Sequence, residues 1–267
     1  MNRAVVIIAL QLLAFWPVWR WYTARVTNSA DDMWSVLALA TVVLLLLWRK
    51  EKLTNVTKTD LLLPTLLLIL YAITYPFFPP LLRAVVAMTA LGSTISLLRF
   101  GKPLHLGTLG LLYLSLPLIP TLQFYGGYPL RVFVAGVAAP LLRLGGFAVI
   151  QDGACLNWDG QLIWIDAPCS GVRMLWVGLY LTCTLACLYR LRFGKTLLAL
   201  AVAFCAIILG NVFRSVALFY LEARVIEMPS WTHDFAGVLA FAIVSAGIVA
   251  AIHRIRKEKL CDAQLST

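Results

Sequence analysis

Charged side chains are scarce in this sequence. Only 13% of its 267 residues are Asp, Glu, Lys or Arg, and hydrophobic residues reach 61%. Globular proteins usually carry about 25% charged residues. A soluble domain has no use for so much apolar surface, and a disordered chain has the opposite balance. These proportions exclude both classes and indicate an integral membrane protein.

Acidic residues are the scarcer of the two signs, with 12 Asp+Glu against 22 Lys+Arg. A basic excess can mark a nucleic-acid-binding protein, but no dense basic block occurs outside short connections. In a membrane protein the same excess marks cytoplasmic loops. We therefore expect this protein to lie in a lipid bilayer and to bind no nucleic acid.

Long apolar runs give eight candidate transmembrane helices, each near the roughly 20 residues that cross a bilayer. They are Ala4–Trp19, Met33–Trp48, Leu61–Phe78, Ala84–Leu98, Leu104–Phe124, Val172–Tyr189, Thr196–Tyr220 and Phe235–Ile252. The first resembles a signal peptide, but bulky residues follow it and we expect an uncleaved anchor. Prolines are expected to kink or end helices at Pro64, Pro76, Pro117 and Pro120.

The distribution of Lys and Arg predicts the orientation. Fourteen of the 22 basic residues lie in alternate connections and near the two ends, and eight of the 12 acids lie on the other side. Cytoplasmic loops collect Lys and Arg. We expect both termini in the cytoplasm, with the protein spanning the membrane many times.

One connection, from Tyr125 to Pro168, is too patterned for a plain loop. Residues Pro129 to Leu144 suit a helix at the outer membrane interface. Asp159-Gly160, between the alternating arms of Leu156 to Ile165, is a hairpin signal. The chain is thus predicted to build a small extracytoplasmic cap from an interfacial helix and a β-hairpin.

The predicted fold is an all-α integral membrane protein of about eight transmembrane helices, with this cap between spans five and six. We expect three regions along the chain. They are an N-terminal four-helix region (1–103), a transmembrane core (104–253) that includes the outer loop 125–168, and a basic cytoplasmic tail (254–267).

A cysteine at the mouth of span six is the first candidate for chemistry. Cys169 follows Pro168, and proline favours the first turn of a helix. Unpaired N–H groups at a helix N-terminus stabilise a thiolate. Arg173 lies four residues on, hence on the same helical face, where its positive charge would stabilise the thiolate further. Ser170 and Arg173 are secondary candidates.

Two further ionisable residues are predicted at the same membrane depth. Arg214, in Asn211-Val-Phe-Arg214, cannot lose its proton and needs an anion, carbonyls or water inside a span. His233 stands just before span eight. The charge-based topology brings Cys169, Arg214 and His233 to the outer face. This set suits acyl transfer, with a nucleophile, an acid/base and an oxyanion donor. Asn211 is another secondary candidate.

Simpler interpretations remain open at this point. Cysteines in apolar runs are usually small buried residues, which we expect for Cys183, Cys187 and Cys205. Cys155 and Cys169 both lie on the predicted outer side, where a structural disulfide is permitted. Arg214 can also snorkel to the interface, and His233 can cap span eight. His105 and His253 are expected to be loop residues.

Four motifs in this chain resemble those of the exosortase/archaeosortase family. Ala167-Pro-Cys-Ser-Gly-Val-Arg173 is similar to Ala-x-Cys-Ser-Gly-x-Arg, and Asn211-Val-Phe-Arg214 to Asn-x-x-Arg. His233-Asp-Phe-Ala-Gly237 resembles His-x-x-x-Gly, and Pro120-Thr-Leu-Gln123 resembles Pro-x-x-Gln. The resemblance covers about Leu104 to Ala250. One departure is Ser215, where the family usually has Ile or Val.

The resemblance implies a membrane cysteine protease-transpeptidase (a thiol protease) that sorts exported proteins and lies in the plasma (inner) membrane of a prokaryote. Its substrates would carry a C-terminal signal made of a PEP-CTERM-like motif, a transmembrane helix and a basic tail. Cys169 would be the nucleophile that forms a thioester, His233 the acid/base, and Arg214 the group that orients substrate or stabilises the oxyanion. No cofactor and no metal site is expected. The oligomeric state is not predicted.

The alternative hypothesis is a non-enzymatic multi-spanning protein, such as a transporter subunit or assembly factor, with a Cys155–Cys169 disulfide. A transporter is expected to show inverted repeats and polar groups at the membrane midplane. This sequence has no visible repeat, and its polar residues gather at one face. A lipid transferase would more often show paired acids or a metal cluster.

Overall fold

The computed structural model describes residues 3–28, 33–48, 60–165, 171–223 and 231–264. In these segments the chain forms helices and one small sheet. The helices are α1 Arg3–Ala14, α2 Trp16–Asn28, α3 Met33–Trp48, α4 Leu62–Thr74, α5 Pro80–Phe100, α6 Leu106–Leu114, α7 Ile119–Leu144, α8 Val172–Leu188, α9 Phe193–Glu222 and α10 Trp231–Gln264. The strands are β1 Ile150–Asp152, β2 Cys155–Trp158 and β3 Gln161–Trp164.

The mostly helical membrane architecture is confirmed. Four helices in the described segments are long and apolar enough to cross a membrane, with spans at Pro80–Phe100, Ile119–Leu144, Phe193–Leu221 and Phe235–Lys257. Shorter apolar helices occupy Met33–Trp48, Leu62–Thr74 and Val172–Leu188. Each of the eight predicted apolar runs is mainly helical, while their number as membrane spans stays a prediction.

The predicted fifth span is wrong as a single helix. α6 ends at Leu114, and α7 begins only at Ile119. Pro117 lies in the break and Pro120 in the first turn of α7, where a missing N–H is tolerated. α7 then continues to Leu144 through Pro129. The predicted interfacial helix is therefore the second half of α7.

Proline also shapes the first and third apolar runs. The helix breaks at Phe15, two residues before Pro17, so the run predicted as Ala4–Trp19 is shared between α1 and α2. Phe15 is fully buried, and its ring meets Tyr71 of α4 edge-on at 4.9 Å between centroids. α4 ends two residues before Pro76, which has no backbone N–H to continue the helical hydrogen bonds. Tyr75 between them still has helical backbone, with φ of −51° and ψ of −47°.

The predicted hairpin is confirmed. β2 pairs antiparallel with β3, with Trp158 opposite Gln161. Asp159 and Gly160 between them have φ of 49° and 78°, the left-handed pair that a tight two-residue hairpin turn requires. β1 adds a third antiparallel strand on the other side of β2, which the sequence pattern did not predict. The extracytoplasmic location of this sheet stays a prediction.

The chain packs as two compact units. The first comprises Met1–Leu118 with Cys183–Leu197, and the second comprises Ile119–Thr182 with Leu198–Thr267. α5 is the centre of the first unit, where it contacts α1, α2, α4 and α6. This packing divides the chain at other places than the predicted regions 1–103 and 104–253, whose functional meaning stays a prediction.

The second unit has a core that joins the sheet to helices. Small side chains of α7, including Ala135, Ala138 and Ala139, are fully buried there. Leu156 and Ile163 of the sheet pack in the same cluster, as do residues from the C-terminal end of α9. The sheet is thus held on α7 and on the last turns of α9.

Candidate functional site

Glycines let α8, α9 and α10 approach one another closely within the second unit. A Cβ atom on Gly178 of α8 would lie 2.3 Å from Cδ1 of Ile207 in α9 and 3.4 Å from Cδ1 of Ile248 in α10. A Cβ on Gly210 of α9 would lie 2.2 Å from Cγ2 of Val244. The distances to Ile207 and to Val244 are shorter than van der Waals contact. The three helices therefore form one tightly packed group, and the site motifs lie on it.

The first motif contact joins the start of α8 to α9. Gly171 is buried and has φ of 82°, and a Cβ there would lie 2.9 Å from Cγ and Nδ2 of Asn211. The Asn211 side chain is itself buried, with 1% exposure. The amide of Asn211 thus lies directly against the backbone of the Cys-Ser-Gly motif. Only glycine fits here, because any side chain would meet the amide in a strained conformation.

The second motif contact joins α9 to α10. Nε and Nη2 of Arg214 would both lie 3.4 Å from a Cβ on Gly237. The guanidinium therefore rests on the backbone of α10 at the glycine of the His-x-x-x-Gly motif. Arg214 is partly exposed, although its Nε atom is inaccessible to solvent. A Cβ at this position would be in ordinary van der Waals contact with the guanidinium, so Arg214 lies directly beside this part of α10.

These contacts place the motif residues at one end of the three-helix group. α8 runs from Gly171 towards Gly178, α9 runs from Ile207 up to Arg214, and α10 runs from Gly237 down to Ile248. Asn211 and Arg214 are three residues apart and share a face of α9. The structure thus brings Gly171, Asn211, Arg214 and Gly237 together.

Cys169 and Ser170 lie outside the described residues, as does the side chain of His233. The backbone of His233 lies in the first turn of α10. Arg173 is exposed in the first turn of α8. The predicted roles of these residues therefore stay predictions, and the geometry on which they depend is that of Asn211, Arg214 and the two glycines.

One step of the sequence argument is wrong. It counted Arg173 on the same helical face as Cys169, but α8 begins only at Val172. The carbonyl of Gly171 accepts the first intrahelical bond, from Leu175 at 2.8 Å. A residue with φ of 82° cannot continue a right-handed helix, so helical spacing does not extend back from Arg173 to Cys169.

The small sheet leads directly into the motif. Ile165, the residue after β3, is buried, and its N–H donates to the Ala154 carbonyl at 3.1 Å. Phe147, Trp158 and Phe219 meet one another edge-on, with centroids 5.4–5.9 Å apart. These rings fix the sheet on the end of α9. Ile165 is thus held by the sheet, and Gly171 lies against Asn211.

Cys155 is one of the two cysteines in the disulfide that the alternative hypothesis predicts. It is a buried free thiol in β2. Burial raises its pKa, and the nearby Asp152 carboxylate raises it further, against an opposing effect of Arg131. The raised pKa disfavours the thiolate form of Cys155. The alternative of a Cys155–Cys169 bridge stays a prediction, because Cys169 lies outside the described residues.

The other cysteines divide into two groups. Cys183 and Cys187 are buried, as expected for small apolar residues. The same expectation is wrong for Cys205, which is exposed on α9, where a small thiol suits a lipid-facing position. Within the described parts of the chain, no group of three or more His, Cys, Asp or Glu side chains could hold a metal ion.

Sequence reasoning missed the buried role of His105. It is the N-cap of α6, where its Nδ1 accepts from the Thr108 N–H at 3.2 Å. Its ring stacks on Phe100 with centroids 3.9 Å apart. The signal available was a polar residue directly before an apolar helical run, with Thr three residues later. The expectation of a loop residue is therefore corrected.

The family of this chain follows from a comparison with family models. Residues 5–250 match the model for transmembrane exosortase (Exosortase_EpsH). The chain belongs to the transmembrane exosortase family. No curated protein and no solved structure matches this chain. The match covers both units of the fold, including the first four apolar runs, where the sequence motifs gave no signal.

Proposed function

We propose that this protein is a membrane cysteine transpeptidase that cleaves C-terminal sorting signals from exported proteins, with Cys169 as nucleophile. The observation that carries the proposal is the pair of close contacts around α9. Asn211 lies against Gly171, and Arg214 lies against Gly237. Gly171 follows Cys169 by two residues, and Gly237 follows His233 by four residues.

Covalent geometry limits how far those side chains lie from Arg214. Two residues of extended chain span at most about 7 Å, so the backbone of Cys169 lies within that distance of Gly171. His233 precedes Gly237 by four residues of helix, a rise of about 6 Å along one face. These covalent limits support the proposal that Cys169, His233 and Arg214 act together, as acyl transfer requires.

The proposed reaction begins with attack of the Cys169 thiolate on the scissile carbonyl. The tetrahedral oxyanion is stabilised by the guanidinium of Arg214, which offers five N–H donors and keeps its charge. The C–N bond then breaks, and His233 gives its proton to the departing amine. The thioester on Cys169 is resolved by an amine acceptor or by water, which restores the thiol.

Asn211 is proposed to position the nucleophile segment. Its side chain is buried against Gly171 and does not reach the reacting atoms in this scheme. Arg173, exposed at the start of α8, is a second candidate for anion stabilisation. Ser170 is proposed to form part of the turn that presents Cys169.

The proposed substrate is an exported protein whose C-terminal tail contains a short motif, a transmembrane helix and a basic end. Family membership supports this class of substrate. The site is proposed to face the extracytoplasmic side, with both termini in the cytoplasm. In that orientation the substrate helix enters the bilayer beside the site, and its basic end stays inside.

The test replaces the chromosomal gene with a Cys169→Ser variant and compares exported proteins by mass spectrometry of their C-terminal peptides. We expect precursors that retain the C-terminal helix and basic tail in the variant, and their absence in the wild type. Cys155→Ser is the matched control, because Cys155 is buried in the sheet and is expected to leave processing intact.

Arg214→Ala and His233→Ala are expected to accumulate the same precursors while the protein stays in the membrane at normal abundance. Loss of one oxyanion donor typically slows acyl transfer by about 100-fold or more. Normal processing in Cys169→Ser would refute the proposal. Equal sensitivity of Cys155 and Cys169 to substitution would instead favour the disulfide-bonded, non-enzymatic alternative.

A further inference from the structure

The first unit contains a cavity that the proposed reaction does not use. Its volume is about 440 Å³, within the usual range for ligand sites. Residues of α2 form one wall, and the segment from the end of α4 to the start of α5 forms the other. The polar and aromatic groups that line it are Trp16, Arg20, Trp21, Tyr75 and Arg83.

The charged residues described at this cavity have one sign. Two arginines line it, and none of the described lining residues is acidic. The Arg83 guanidinium lies 4.4 Å above the Tyr75 ring, and its Nε donates to the Phe78 carbonyl. These two contacts fix its orientation at the cavity wall. Arg20 is exposed on α2, one turn beyond Trp16. The cavity is therefore built to hold an anion, and arginine is the preferred partner of phosphate.

The surroundings of the cavity are apolar. Large side chains on the neighbouring helices are exposed to the surface, with Leu13 at 71%, Ile73 at 63% and Phe77 at 81%. In a membrane protein such surface lies against hydrocarbon. Trp16 is also 63% exposed, and tryptophan collects at the membrane–water interface. The two arginines of the cavity lie beside exposed apolar side chains. A phospholipid has a negative phosphate next to apolar acyl chains, so it fits this surface better than a soluble anion or an acidic peptide does.

We propose that this cavity binds the phosphate of an anionic phospholipid, with Arg20 and Arg83 as its ligands and Trp16, Trp21 and Tyr75 at its rim. The acyl chains extend along the exposed apolar surface of α1 and α4. The bound lipid joins α2 to the α4–α5 connection and stabilises the first unit. This site is independent of the proposed processing activity.

The test uses the full-length protein in dodecyl maltoside micelles and measures the thermal unfolding midpoint during titration with dioleoyl phosphatidylglycerol. We expect a saturable rise. A juxtamembrane basic residue is worth about fivefold in binding to an anionic lipid surface. Arg20→Gln should therefore weaken the apparent affinity about fivefold, and the double variant with Arg83→Gln about twentyfold.

Controls separate this site from general charge attraction. Arg25→Gln changes an exposed arginine on the same helix that does not line the cavity, and is expected to keep the wild-type affinity. Arg83 also donates a hydrogen bond to the Phe78 carbonyl. The double variant loses this bond, so its stability is expected to fall even without lipid. The exposed Arg20 is the decisive position for that reason.

Three results would overturn the proposal. The first is unchanged lipid affinity in Arg20→Gln. The second is an equal saturable rise with dioleoyl phosphatidylcholine or with sodium phosphate alone, which would assign the effect to general lipid or to a soluble anion. The third is a larger Arg20-dependent rise with a glutamate-rich peptide, which would assign the cavity to a protein ligand.

Discussion

At the scale of single residues, two glycines decide where the proposed reactive groups can lie. Gly171 lets the amide of Asn211 touch the backbone two residues after Cys169, and Gly237 lets Arg214 lie on α10. Neither glycine takes part in the proposed chemistry. At Gly171 the effect is steric, since a Cβ would lie 2.9 Å from the Asn211 amide. At Gly237 a Cβ would be in ordinary van der Waals contact with the Arg214 guanidinium, 3.4 Å away.

Gly171→Ala is expected to reduce processing at least tenfold. The new Cβ would lie 2.9 Å from the Asn211 amide and would displace the nucleophile segment. Gly146→Ala is the matched control. Gly146 has a similar φ, 91°, but no atom lies within 4 Å of its Cβ position. Both variants should lose about 1 kcal/mol of unfolding free energy from backbone strain.

The readouts are precursor accumulation in cells and the thermal unfolding midpoint of the purified protein. If Gly146→Ala impaired processing as strongly as Gly171→Ala, backbone strain alone would explain the loss. The contact with Asn211 would then have no special role.

His105 gives a second prediction at this scale, because burial lowers its pKa to about 4. Unfolding restores the ordinary value of about 6.5, so the unfolded chain takes up the proton first as pH falls. Stability is expected to be full above pH 6.5 and to decrease by about 3 kcal/mol as pH falls from 6.5 to 4. Denaturant unfolding in detergent across this range measures the change.

His105→Gln keeps a polar group at the N-cap but cannot titrate. Its unfolding free energy should lose the part of the pH dependence between 6.5 and 5, where carboxylates contribute least. An unchanged slope in this variant would show that other groups cause the decrease.

At the scale of elements, close packing holds α8, α9 and α10 in register. Gly178 and Gly210 lie where neighbouring helices approach within van der Waals distance, next to Ile207 and Val244. Small residues commonly mark such approaches between membrane helices, since they allow dispersion contacts over a large area. The register in turn brings Asn211 and Arg214 to the level of Gly171 and Gly237.

Gly210→Ala is expected to lower the unfolding free energy by about 1–3 kcal/mol, because its Cβ would lie 2.2 Å from Val244 and 3.1 Å from Met174. Gly247→Ala in α10 is the control. No atom lies within 4 Å of its Cβ position, and alanine favours helix. Thermal unfolding in detergent should place the control at or above the wild type and Gly210→Ala below it. The reverse order would contradict the packing described.

At the scale of the whole molecule, the proposed orientation in the membrane depends on the distribution of Lys and Arg. Basic residues collect in alternate connections, and the sheet lies in a connection that has few of them. A charge bias of this kind fixes which loops stay in the cytoplasm during insertion. The proposed site depends on this orientation, since its substrates are exported proteins.

Labelling of single cysteines in a cysteine-free variant tests the orientation. Gln161→Cys lies at an exposed position of β3, and Lys102→Cys lies at an exposed position after α5. A membrane-impermeant maleimide applied to intact spheroplasts should label the first position. The second should react only after permeabilisation. The opposite pattern would invert the topology and place the proposed site in the cytoplasm.

The sequence by itself determined the class of protein and the type of most elements. Apolar runs predict helix because a membrane leaves no other way to satisfy backbone hydrogen bonds in a single segment. The Asp159-Gly160 hairpin followed from local turn chemistry. The match of residues 5–250 to the transmembrane exosortase family confirms the resemblance first seen in the motifs around Cys169, Arg214 and His233.

Only the tertiary structure decided the ends and the contacts of those elements. The merging of two predicted segments into α7, the start of α8 at Val172 and the burial of His105 all depend on packing between distant parts of the chain. The contact of Arg214 with Gly237 joins residues 23 positions apart on different helices. Periodicity describes one helix at a time, so it contains no information about which neighbour a glycine will meet.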